Sequence, residues 1–152
     1  MLSLGLCLSL GLAGCAKEPI SIDQVTLSAD DLARCVALVA ALPQQLADLD
    51  RRKVSPAAAL GAAWGDPAVV LTCGAPDDVP PAAACSEVDG VGWYAPEDEI
   101  DNQSVDAELT TIGMRPVVHL HVPADYRPPP AILVQLGPLL KQTLAATTSG
   151  CR

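Results

Sequence analysis

Six cysteines, at positions 7, 15, 35, 73, 85 and 151, constrain this chain more than any other feature. In an oxidising compartment they can staple a fold covalently, and in a reducing one they do not. The leader decides between the two. From Met1 to Gly14 no residue is charged, and Leu, Gly, Ala and Ser dominate, which is the make-up of the apolar core of an export signal. The run falls short of the roughly 20 apolar residues that span a bilayer. Residues 1–14 therefore read as a signal peptide, and Cys7 leaves with it.

Leu12-Ala13-Gly14-Cys15 resembles the lipobox of bacterial lipoproteins, in which the Cys thiol receives a diacylglyceryl group and becomes the new N-terminus. Gly14 supplies the small residue the peptidase needs, and each buried lipid CH₂ adds about 0.8 kcal/mol of membrane affinity. Cys15 is the expected lipidation site, and the expected location is the extracytoplasmic face of the cell membrane. No Lys or Arg precedes the apolar run, which leaves room for a start codon further upstream. Residues 15–27 read as the lipidated Cys and a short tether reaching about 20 Å, and 28–152 as a single domain.

The remaining four cysteines then form two disulfides, with three connectivities possible. Chain distance favours Cys73 with Cys85, closing a Pro-rich loop, which leaves Cys35 for Cys151. No C-x₂-C pair is present, so the thiols do not read as a zinc site.

With 152 residues and half of them apolar, the chain can build one core. Without Phe, and with two Trp and two Tyr, that core must be made of Leu, Val, Ile and Ala. The net charge of −9 and the lack of a sustained basic patch argue against nucleic acid as a partner, because phosphate contacts need a basic face. The mixed Asp48 to Lys53 run reads as a solvated turn or a last helical turn.

Ser28 followed by Asp30 and Asp31 has helix-cap chemistry, and the apolar residues from Leu32 to Leu42 recur at helical spacing. Trp64-Gly65-Asp66-Pro67 turns the chain into a Val69 to Cys73 strand, and Asp89-Gly90 marks a hairpin. Both Trp residues read as packing. The acidic 97–102 run reads as a solvated loop, since its spacing lacks the order of a Ca²⁺-binding loop. After Pro128-Pro129-Pro130, Ile132, Leu133, Leu136, Leu139, Leu140 and Leu144 mark a last helix, with a kink expected at Gly137-Pro138.

One strand pair carries the chain's chemical potential. Placing Gly113-Met114 in a two-residue turn sets Leu109 opposite Val118 and Ala107 opposite Leu120 on an apolar face. The other face then pairs Glu108 with His119 and Asp106 with His121. These four side chains could hold Zn²⁺ or a related ion, or serve a metal-dependent hydrolase. Plain cross-strand charge pairs are the favoured reading, and no cofactor is called for. No G-x-S-x-G, H-E-x-x-H, P-loop or C-x-x-C occurs, so no catalytic residue is assigned and the chain is not read as an enzyme.

The layout as a whole, with Cys35-Val-Ala-Leu-Val-Ala-Ala-Leu-Pro43, Trp64-Gly-Asp-Pro67 running to Cys73-Gly74, Cys85 before Val88-Asp-Gly-Val91-Gly-Trp93, Thr110-Thr-Ile-Gly113-Met-Arg115-Pro116 and a closing Cys151-Arg152, resembles family 3515 of the domains of unknown function, an actinobacterial envelope family. The resemblance implies an exported, membrane-anchored domain and supplies no activity.

The expected fold is α+β: an antiparallel sheet of four or five strands, with N- and C-terminal helices packed on one face and two disulfides. Leu109, Val118, Leu120, Val122, Val36, Val39, Leu136 and Leu140 are the expected core. The expected role is that of a non-catalytic envelope lipoprotein held to the membrane through Cys15 and binding a protein or wall component. A carrier of a small apolar or lipid ligand is the second reading, and a metal-binding protein the third.

Overall fold

The computed structural model describes residues 17–23, 25–81, 83–147 and 151; the signal segment and the proposed lipidation site Cys15 lie outside them. A two-residue strand β1 (Ile20–Ser21) precedes helix α1 (Ala29–Ala41), then β2 (Gln45–Leu46), β3 (Leu49–Arg52), β4 (Val54–Ser55), β5 (Gly61–Trp64) and β6 (Val69–Cys73). After the Pro-rich loop come β7 (Ser86–Val88), β8 (Val91–Tyr94), the short helix α2 (Glu97–Asp101), β9 (Ala107–Ile112), β10 (Met114–Arg115) and β11 (Val118–Val122). A 3-10 turn (Ala124–Tyr126), helix α3 (Pro130–Thr143) and β12 (Ala145–Ala146) complete the chain.

The sheet is larger than the four or five strands expected. Eight strands run in the order β2-β3-β5-β6-β11-β9-β8-β7, each pair antiparallel. The extra strands come from segments without a readable pattern. Gly61-Ala62-Ala63-Trp64 is buried at every position, and alanines carry no period-two alternation to mark a strand. The Asp48 to Lys53 run is neither a solvated turn nor a last helical turn but contributes β3. There Arg51 Nη1 donates to the Leu42 carbonyl at 2.8 Å and stacks 5.6 Å from the Trp64 ring centre, while Arg52 Nη1 donates to the Gly65 carbonyl at 2.8 Å.

Alternating burial on β6, β9 and β11 gives the sheet one apolar face. Leu71, Val118, Leu120, Val122, Leu109 and Ala107 meet Leu38 and Leu42 of the α1 side and Leu133, Leu136 and Leu140 of α3 there. Ser28 caps α1, its Oγ accepting from Asp31 N at 3.1 Å. The expected core holds except on α1. Val36 is 54% exposed and Cys35 and Leu38 are buried instead, because the bridge from Cys35 fixes how the helix is rotated. Helix α3 continues through Pro138, and Gly137 lets it pass Asp89, whose carboxylate would lie 2.5 Å from an added Cβ.

The disulfides pair Cys35 with Cys73 and Cys85 with Cys151, correcting the expected Cys73–Cys85 and Cys35–Cys151. Sheet order gives the reason. Cys73 ends β6 and Cys85 leads into β7, four strand spacings away, or about 19 Å at 4.8 Å per strand, whereas a bridge requires Cα atoms within about 7 Å. Helix α1 instead carries Cys35 to 5.5 Å from Cys73. The chain end returns after β12, which pairs with β10, to set the Cys151 sulfur against Gly92 of β8.

Part of the 15–27 segment expected as a tether packs on the domain. Strand β1 pairs in parallel with β4, Ile22 is 4% exposed, and Lys17 Nζ lies 2.7 Å from Asp66 Oδ2. Lys17 holds the Asp66 carboxyl below its ordinary value, with help from Arg52. The apolar Ile20 and Ile22 dock beside the sheet in place of extending as linker.

Candidate functional site

Asp106, Glu108, His119 and His121 lie on the sheet face opposite the core, and they do converge. The register differs from the expected one by two residues: His121 faces Glu108 and Leu120 faces Leu109. A shift of two keeps every side chain on its expected face. The two-residue turn does not form, because Pro116 has no N–H to give a ladder and Met114–Arg115 leave to pair with β12. Thr111 closes the gap, its Oγ1 accepting from Val118 N at 2.9 Å.

Glu108 is the hub. One carboxylate oxygen lies 2.7 Å from His121 Nδ1 and the other 3.2 Å from His119 Nε2, while Asp106 Oδ2 stands 3.7 Å from His121 Nε2. Burial pushes the Glu108 carboxyl up, but hydrogen bonds from His119 and His121 and their charge outweigh it and hold the group below its ordinary value of 4.5. The acids are also tied to the backbone around them. Asp106 Oδ1 accepts from Ala124 N at 2.9 Å, and Glu99 of α2 accepts from Glu108 N at 2.7 Å. The acidic 97–102 run, expected as a loop, is thus a helical turn that buttresses β9.

These contacts form a charge ladder centred on one carboxylate rather than a cage around a common point. Among the described residues no three His, Cys, Asp or Glu are grouped to hold a metal ion. Beside the ladder opens a depression of about 320 Å³ lined by Asp78, Tyr94, Glu108, Thr110 and His119 with Pro76 at its wall. Sequence reasoning missed Asp78 and Tyr94, since they reach the ladder only through the fold of the Pro-rich loop and β8. Its lining contains neither Ser nor Cys. The chemistry available there is hydrogen bonding and ion pairing by two carboxylates, one imidazole and the Tyr94 and Thr110 hydroxyls.

The family model described as "Protein of unknown function (DUF3515)" matches residues 4–148. The chain belongs to that family. No curated protein matches it, and no solved structure does. Among the described residues no helix is long and apolar enough to cross a membrane.

Proposed function

We propose that this DUF3515 chain is an exported lipoprotein, cleaved before Cys15 and lipidated there, whose domain is a non-catalytic binding module at the outer face of the cell membrane. The observation that carries the reading is the pairing of all four cysteines of the domain into two bridges, which are formed and kept outside the reducing cytosol. The uncharged leader and Leu12-Ala13-Gly14-Cys15 supply the route. The docking of β1 supports a close-held domain: Ile20 is five steps along the chain from Cys15, a reach of at most about 18 Å. A protein or wall component within that distance is the expected partner.

The test is intact-mass spectrometry of the chain purified from its own membranes, alongside Cys15→Ser. The expected result is an N-terminus at Cys15 carrying acyl chains, with Cys15→Ser lost from the membrane fraction. A membrane-held chain with an unmodified Cys15 thiol overturns the reading.

A further inference from the structure

We propose that the cavity between the buried sheet face and the start of α3 binds a small apolar carboxylate. The inference deepens the binding reading above by naming a ligand class, and it does not depend on lipid at Cys15. The cavity measures about 230 Å³ and is walled by Val88, Trp93, Ala107, Leu109 and Leu133, with Arg127 at one side. Trp93 pairs with Thr111, so its side chain shares the apolar face of Ala107 and Leu109, and Leu133 comes down on them from the first turn of α3. Those walls suit an alkyl tail.

Two observations ask for an acceptor at the wall of this cavity. Trp93 is 2% exposed, and its Nε1–H is buried without a partner. The other tryptophan is different: Trp64 Nε1 donates to the Pro43 carbonyl at 3.0 Å. The Nε–H of Arg127 is likewise buried and unpartnered. Its other nitrogens donate to the carbonyls of Val105 at 3.0 Å, Asp106 at 3.4 Å and Glu99 at 2.6 Å, and among the described residues no carboxylate pairs with it within 4 Å. Buried donors left without an acceptor are costly, and one carboxylate offers acceptors to both.

Size narrows the ligand. The volume is below the roughly 300 to 1,000 Å³ that encloses drug-sized molecules, which selects a short chain. Both orphan nitrogens lie beneath the water-accessible surface, so the side chains over them must shift for a ligand oxygen to reach them. Ile100, 47% exposed, and Gln103, which donates to the Ile100 carbonyl at 3.0 Å, line the same cavity.

The chain's two tryptophans give a direct readout by ¹⁵N-indole NMR on the full chain in phosphatidylcholine nanodiscs, with Trp93→Phe assigning the signals. Octanoate is expected to move the Trp93 indole proton downfield, saturating in roughly the millimolar range, while the Trp64 signal stays in place. Octylammonium, with the same tail and opposite charge, is expected to bind at least about tenfold more weakly. Ala95→Leu, which fills the half-buried wall position, is expected to abolish the shift and leave the unfolding midpoint intact. No saturable shift at Trp93, equal responses to the two ions, or parallel movement of both indoles through bilayer partition overturns the proposal. Loss of the anchor result with retention of this one would refute only the lipoprotein reading.

Discussion

Removing the two bridges separately should reverse the order their loop lengths suggest. On the chain-entropy account the Cys35–Cys73 bridge, closing 38 residues, stabilises by about 3.9 kcal/mol, and the Cys85–Cys151 bridge, closing 66, by about 4.3 kcal/mol. The loops do not overlap in sequence, so each acts on its own part of the unfolded chain. Burial adds the second contribution. Cys35 and Cys73 are both 0% exposed, whereas Cys85 and Cys151 are partly exposed. Truncating the inner pair empties two sulfur-sized spaces at about 0.8 kcal/mol or more each. Cys35→Ala/Cys73→Ala should therefore lose about 5.5 to 6 kcal/mol and Cys85→Ala/Cys151→Ala about 4.3 kcal/mol. Urea unfolding with linear extrapolation, under conditions that keep the remaining bridge oxidised, measures both. If the inner pair costs no more than the outer, the packing argument fails; if either costs under about 1 kcal/mol, the connectivity is wrong.

Glu108 is held ionised in the folded state, so its contribution is present above its ordinary value of 4.5 and is lost as pH falls through its lower folded value. Its side chain is 41% exposed, so Glu108→Gln should flatten the acid limb of a stability-against-pH curve by no more than about 1 kcal/mol; an unchanged limb would refute the ladder. Trp64→Phe loses both the Pro43 hydrogen bond and ring volume and should cost about 2 to 3 kcal/mol by urea midpoint, against under 0.5 kcal/mol if the ring were merely rim packing. Gly137→Ala should destabilise even though Ala favours a helix by about 1 kcal/mol, because the new methyl meets the Asp89 carboxylate; a rise in the midpoint would show that Asp89 yields freely.

What could be read in the sequence was whatever rests on local chemistry. Ser28, the α3 leucines, the Asp89-Gly90 turn and the two faces of β9 and β11 follow from caps, periods and turn residues. Period two determines faces but is silent on register, which is why Glu108 was set against His119 and not His121. The cysteine pairing depends on sheet order, with β11, β9 and β8 lying between β6 and β7, and alternation names strands without ordering them. The cavity was illegible for the same reason, since Trp93 and Arg127 line one space only once α3 has folded over β8 and β9.

The docked N-terminal segment has a mechanical consequence. A pull applied at Lys17 first loads the two-residue ladder between β1 and β4, and then the capped start of α1. It stops at Cys35, whose bond to Cys73 carries the load straight to the fourth strand of the sheet. Seventeen residues lie between Lys17 and Cys35, so the domain can pay out at most about 60 Å of slack before tension reaches the covalent frame, and the sheet and its cavity stay folded behind that stop.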